Sequence, residues 1–179
     1  IQKYPNVAQA YNNLGSYVLK KNKNKEAFQY FNKAIQLKPY YADAYSNRGS
    51  LIAQSGNSEA AIKDYNRAIQ LRPHADAYFN RGNERSKLNQ LEVAIEDYSK
   101  SLAIKKSPDA YTNRAFAYLK LQRMEKAKED LKRAIKLAAK YDRAYFLLGL
   151  VYKEEKSQKE ACVNFEKARR LGNKNAAGI

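Results

Sequence analysis

The sequence predicts an all-α protein, a solenoid of antiparallel helix pairs. Three observations lead there. The chain of 179 residues repeats itself every 33 or 34 residues. Apolar residues within each copy recur at spacings of three and four, the signature of amphipathic helices. No segment alternates apolar and polar with the period of two that a half-buried strand requires.

The repeat is clearest when copies are aligned on Tyr11, Tyr45, Tyr78, Tyr111 and Tyr145, which lie 34, 33, 33 and 34 residues apart. Four positions later each copy has a small residue: Gly15, Gly49, Gly82, Ala115, Gly149. Sixteen positions after the tyrosine stands an alanine: Ala27, Ala61, Ala94, Ala127, Ala161. A bulky residue follows at twenty (Phe31, Tyr65, Tyr98, Leu131, Phe165), then a small one three further on (Ala34, Ala68, Ser101, Ala134, Ala168).

Each copy is expected to hold two helices. In the first copy, Ala27, Tyr30, Phe31, Ala34 and Ile35 trace the buried stripe of its second helix. Glycine inside the first helix costs about 1 kcal/mol against alanine, a cost that makes sense where a neighbouring helix passes too close for a Cβ. Asn22–Asn24, Gly56–Asn57 and Asn89–Gln90 mark turns between paired helices, since Asn and Gly tolerate the left-handed conformation that ends a helix. Pro39 and Pro73 stop the second helices of their copies. Pro108 instead opens a helix, at the one turn where its missing N–H is harmless. Gly172 reads as a C-cap.

With Ala8 as position one, the copies run 8–41, 42–74, 75–107, 108–141 and 142–172. The chain resembles the tetratricopeptide repeat (TPR) family, whose 34-residue unit carries a bulky residue and Gly in its first helix, then Ala, an aromatic, Ala and Pro in its second. Tyrosine replaces the family's tryptophan throughout. Repeat three departs most, with Arg85, Ser101 and Lys106, and repeat four carries Ala139 in place of the closing proline. The resemblance implies a right-handed α–α superhelix behaving as one domain, whose copies bury their apolar faces only by stacking. Residues 1–7 fit the tail of a preceding repeat, because Pro5 falls 34 residues before Pro39, and 173–179 form a short tail. The expectation is a piece of a longer array whose apolar edges, including Val163 and Ala168, associate end to end.

Composition excludes more than it assigns. Lys plus Arg number 34 against 18 Asp plus Glu, a net +16, which invites a nucleic-acid or acidic-surface partner. Many of the cations fall late in the second helices, as with Lys33 and Lys38 or Lys167, Arg169 and Arg170, where they offset the helix dipole and solvate the outer face. That reading disfavours nucleic acid. No apolar run is long enough to span a membrane. Cys162, one residue after a packing alanine, is expected to be buried and inert. As the only cysteine it allows no internal disulfide, so the compartment stays open with a cytoplasmic setting favoured. The only histidine, His74, is expected in a solvated loop. No catalytic constellation, phosphate loop or metal-ligand spacing is present, so neither an enzyme nor a cofactor is expected.

In the family, first helices line a concave surface through positions two, five, six, nine, twelve and thirteen. Position six here reads Asn13, Asn47, Asn80, Asn113 and then Leu147. Asparagine is a mediocre helix former, so propensity does not explain the row. Its amide both donates and accepts, which suits the backbone of an extended peptide. The row is similar to the asparagine ladder of the TPR superhelix in O-GlcNAc transferases, which grips peptide main chain. The bland alternative is that these amides satisfy neighbouring helices. Position two reads Gln9, Asp43, Asp76, Asp109 and Arg143, and its aspartates serve either the groove or the helix dipole. Chaperone-binding TPR domains clamp a peptide carboxylate with Lys, Asn, Asn, Lys and Arg. Here Asn83 and Asn113 match, but Phe79, Arg143 and Leu147 replace the cations, so that ligand is not expected.

The expected function is a non-catalytic scaffold that holds a peptide or partner protein at Asn13, Asn47, Asn80, Asn113, Asp43, Asp76 and Asp109. The alternatives are a basic nucleic-acid adaptor and a self-assembling structural array. One further pattern predicts contacts: Arg48, Arg81 and Arg114 occupy position seven only in copies where Asp64, Asp97 and Asp130 occupy position 23. Ion pairs Arg48–Asp64, Arg81–Asp97 and Arg114–Asp130 within each copy are therefore expected.

Overall fold

The structure, a computed structural model, describes residues 7–178. The expected tail of a preceding repeat lies outside these residues except for Val7. The described residues form ten α-helices and one short 3₁₀ helix, with no strand. First helices of the copies are α1 (Val7–Leu19), α3 (Ala42–Gln54), α5 (Ala75–Lys87), α7 (Pro108–Lys120) and α9 (Asp142–Glu154). Second helices are α2 (Asn24–Leu37), α4 (Ser58–Leu71), α6 (Leu91–Ile104), α8 (Met124–Leu137) and α10 (Gln158–Arg170). The 3₁₀ helix spans Lys174–Gly178. Two compact units divide the chain, Ile1–Leu88 and Asn89–Ile179, with the boundary between the two helices of the third copy.

The repeat signature is the core of each unit. Ala27, Phe31 and Ala34 are wholly buried in α2, and Ala61, Tyr65 and Ala68 do the same in α4. In the second unit Ala94, Tyr98 and Ser101 of α6, Ala127, Leu131 and Ala134 of α8, and Ala161, Phe165 and Ala168 of α10 are buried. Small residues on either side of a large one let the paired helix approach while the large one fills the gap. In the first unit α1 packs on α2, α3 on α4, and each second helix on the next first helix; the second unit repeats this from α6 to α10.

The helical glycines make room for a ring, not for a helix backbone. A Cβ on Gly15 would lie 2.6 Å from Phe31, and one on Gly149 would lie 2.6 Å from Phe165. Repeat four carries Ala115 and the slimmer Leu131 at these two positions, both wholly buried.

The turn at position fifteen is left-handed in every copy. Asn22, Gly56 and Asn89 have positive φ as expected, but so do Gln122 (57°) and Lys156 (58°), which carry no turn signal in sequence. Backbone hydrogen bonds explain why. Asn22 N–H donates to Leu19 O and Lys23 N–H to Val18 O, and the same double closure recurs after Gln122 and Lys156. This is the Schellman arrangement, which requires a left-handed residue whatever its side chain. Gly172 closes α10 in the same way, its N–H bonding Arg169 O while Asn173 N–H bonds Ala168 O.

Several expectations need correction. Cys162 is exposed, because it falls one residue off the buried stripe of Ala161, Phe165 and Ala168. The cations expected to offset the dipoles of α2, α4 and α6 are absent from their last turns; Lys38, Arg72 and Lys105 stand one position beyond, as C-cap residues. Only α8 and α10 have basic last turns among the second helices. Of the expected apolar edge, Val163 is 62% exposed but Ala168 is buried. The tail after Gly172 does form a turn of helix: Asn173 Oδ1 accepts from Asn175 and Ala176 N–H, and Ala176 is 3% exposed against α10.

Two of the three expected ion pairs form within single units. Arg48 Nε and Nη2 donate to Asp64 Oδ2 and Oδ1, both at 2.7 Å. Arg114 repeats the contact with Asp130 at 2.7 and 2.8 Å. In Arg81–Asp97 the two residues belong to different units. Each guanidinium also lies over its own copy's leading tyrosine: Arg48 over Tyr45, Arg81 over Tyr78 and Arg114 over Tyr111, 5.5–5.7 Å from the ring centroids.

Candidate functional site

Position two falls in the first turn of α3, α5 and α7, so Asp43, Asp76 and Asp109 all face a positive helix end. Position six follows one turn later on the same face. In the first unit this geometry gathers four of the expected site residues in one cleft. Asp43, Ser46, Asn47 and Ser50 of α3 form one wall; Asp76, Phe79 and Asn80 of α5 form the other, and Arg72, Pro73 and His74 close one end. The cleft volume is about 780 Å³, within the range of ligand-binding clefts.

The amides in the row are not equivalent. Asn13 is exposed. Asn47 Nδ2 donates to Asn12 Oδ1 at 2.9 Å on the preceding first helix, and to Ser16 Oγ at 3.4 Å. Asn80 Nδ2 reaches Ser50 Oγ only at 3.5 Å, the outer limit of a hydrogen bond. Ser50 is already engaged, donating to Ser46 O and accepting from the Tyr65 hydroxyl. Asn113, in the second unit, accepts from Arg143 Nη1 at 2.7 Å. Asn47 and Asn113 thus tie successive first helices together, side chain to side chain rather than to helix termini. Asn80 is held more loosely.

The aspartates differ in the same manner. Arg72 Nη2 donates to Asp43, so the residue after α4 returns to the start of its own copy. Asp109, which stands at the same position of repeat four as Asp43 in repeat two, accepts instead from the Tyr141 hydroxyl at 2.5 Å. Burial first, and the hydrogen bond and charge of Asp109 after it, push the Tyr141 phenol up to about 12. Asp76 is exposed and takes part in no hydrogen bond or ion pair among the described residues.

His74 is a helix cap, not the solvated loop residue expected. Its Nδ1 accepts from Ala77 N–H at 3.2 Å at the N-terminus of α5. That bond fixes the proton of the neutral ring on Nε2, a buried donor with no partner among the described residues. Burial, and after it the Arg72 charge, lowers the imidazole pKa from its ordinary value. Sequence reasoning missed Ser46, Ser50, Arg72 and His74 as cleft residues. Position nine was available as a signal for Ser50, whereas Arg72 and His74 reach the site through turn geometry that no spacing rule announces.

Among the described residues no group of three His, Cys, Asp or Glu side chains is placed to hold a metal ion, and no helix is long and apolar enough to cross a membrane.

Tetratricopeptide-repeat family profiles match residues 8–41, 75–108 and 142–171, and, in a second version, 42–74 and 108–141. Among curated proteins no sequence matches the chain. Among solved structures, MamA residues 41 to the end from Desulfovibrio magneticus RS-1 superposes with a TM-score of 0.83 at 22% identity, covering 92% of this chain and 94% of that one. PilF of Pseudomonas aeruginosa gives 0.84 at 18% identity, over 93% and 77% of the two chains. YrrB, described as a TPR protein with an unusual peptide-binding site, gives 0.79 at 16% identity over 92% and 86%. At these identities the likeness is one of fold. Ten helices in the family's register, with matched segments over nearly the whole length, make the chain a member of the tetratricopeptide-repeat family.

Proposed function

We propose that this repeat scaffold binds an extended peptide segment of a partner protein along the exposed face of the first helices α1, α3 and α5 of its first unit. The observation that carries the reading is the cleft between α3 and α5, where Asp43, Asn47, Asp76 and Asn80 converge. Side-chain amides on such a wall pair with peptide N–H and C=O groups regardless of the ligand's side chains. The peptide-binding site named for the structurally similar YrrB supports peptide binding on this fold.

The nucleic-acid alternative draws no support from the aromatic residues. The leading tyrosines Tyr45, Tyr78 and Tyr111 already carry guanidinium groups over their rings, which leaves those faces poorly placed to stack on bases.

Replacing Asn47 and Asn80 together by Ala tests the reading. Each lost hydrogen bond is worth about 0.5–1.5 kcal/mol of affinity, so binding of a partner peptide should weaken by roughly five-fold to a hundred-fold. A double variant that binds as tightly as the parent while losing melting temperature would make the row structural. Salt titration of the binding adds a second check, because phosphate contacts would appear as a steep loss of affinity.

A further inference from the structure

We propose that the cleft between α3 and α5 selects a Lys or Arg side chain of the bound peptide, with Asp76 as the selecting residue. This rests on the peptide-binding reading above. Phe79 and Asn80 follow Asp76 by three and four residues, so they stand one turn along the same face of α5, and all three line the cleft. That face offers a carboxylate, an aromatic ring and an amide in succession. The amide suits the peptide main chain. The ring suits the alkyl stem of a long cationic side chain and the charge it carries.

Charge distinguishes the cleft from its surroundings. Residues 1–88 carry 14 Lys and Arg against six Asp and Glu. The cleft reverses that balance, with Asp43 and Asp76 against Arg72 alone. Asp43 is neutralised by its ion pair with Arg72, which leaves Asp76 as the uncompensated charge in the cleft. An acidic ligand group would meet that carboxylate, and a basic one would pair with it. The positive end of α5 and the charge of the unit both oppose a bound cation. Asp76 stands in the first turn of α5, where the partial positive charge of the helix end offsets only part of its full negative charge, and the charge of the unit is screened over about 8 Å at physiological salt. The contact is that of an exposed ion pair, worth up to about five-fold in affinity, equal to about 1 kcal/mol.

The test begins with random dodecapeptides displayed on phage and selected on the intact chain, with the Asn47 and Asn80 double alanine variant as counter-selection. Enriched peptides are synthesised with each Lys or Arg replaced in turn by norleucine, and their affinities for the parent and for Asp76→Asn are measured. Circular dichroism of D76N checks that the helix content is kept. The proposal expects one position in the peptide where norleucine costs about five-fold on the parent and less than two-fold on D76N. Peptides that depend on the asparagine row but show no such coupling would overturn the role of Asp76 and leave the groove reading standing. If no peptide is enriched, or if the enriched peptides ignore the asparagine row, the groove reading fails and this proposal with it.

Discussion

Arg114 and Asp130 face each other within repeat four as a two-pronged ion pair, with only 14% and 3% of their side chains exposed. Burial works against the Arg114 charge, but the hydrogen bond and attraction to Asp130 together outweigh it and raise the guanidinium pKa. Removing one partner strands the other. Asp130→Asn should cost about 3–5 kcal/mol. Arg114→Leu combined with Asp130→Asn copies what repeat five already carries as Leu148 and Asn164, and should recover most of that loss. Urea unfolding of both variants decides it: a single substitution costing under about 1 kcal/mol would class the pair with exposed ones.

A second prediction concerns the rings over the glycines. Gly149→Ala would place a methyl 2.6 Å from Phe165 and should destabilise by about 1–3 kcal/mol. Adding Phe165→Leu gives repeat five the Ala and Leu that repeat four carries as Ala115 and Leu131, and should restore much of the loss. If the double variant is less stable than the single one, the two positions do not pack as a unit.

Strain at the turns is separately measurable. Lys156 holds a φ of 58°, a conformation that costs an ordinary L-residue about 1–2 kcal/mol. Lys156→Gly should therefore stabilise the protein slightly, by up to about 1 kcal/mol after the extra chain entropy of glycine is subtracted. Gly56→Ala, at φ 87° with open space around it, should do the reverse. Melting temperatures moving in the same direction for both would contradict the left-handed assignment.

Alkaline pH should expose two phenols. Free tyrosine ionises near pH 10, whereas burial pushes Tyr65 up to about 12, and burial with Asp109 pushes Tyr141 up to about 12. The folded state holds both protons more tightly than the unfolded chain. The stability they contribute is whole below about pH 10 and is lost between there and about pH 12. Ultraviolet titration of the folded protein should show a late-ionising fraction, reduced in Tyr141→Phe. Ionisation of every tyrosine together near pH 10 in the folded state would rule this out.

Much of the fold was legible because a repeat states its own alignment. Positions that pack, such as Ala27, Phe31 and Ala34, recur five times over, and chance does not sustain such a register. Paired substitutions were legible too, since Arg48 with Asp64 and Arg114 with Asp130 change together between copies. What escaped was local and unrepeated. Gln122 and Lys156 turn left-handed because the closure of their helices demands it, with nothing in the side chain to announce it. Cys162 was misplaced because one step along a helix turns a side chain by about 100°. For the site, spacing found the amide and carboxylate rows. It could not tell the engaged Asn47, Asn113, Asp43 and Asp109 from the looser Asn80 and the open Asp76, because their partners come from neighbouring copies and from the ends of the repeats.

Each position-seven arginine reaches backwards along the chain through Nη1. Arg48 Nη1 donates to Asn32 and Arg81 Nη1 to Asn66, both at 2.6 Å, and Arg114 Nη1 donates to Ser99 at 2.8 Å. Each acceptor lies on the second helix of the preceding copy. Losing one arginine therefore loosens two copies at once, and the neighbour that feels it is always the earlier one. Repeat five, with Leu148 at this position, sends no such bond to α8. In a nearest-neighbour description of opening, the junction between repeats four and five lacks a coupling term that the three junctions before it possess. Native-state amide exchange should then report a directional gradient, with α10 opening at lower free energy than α4.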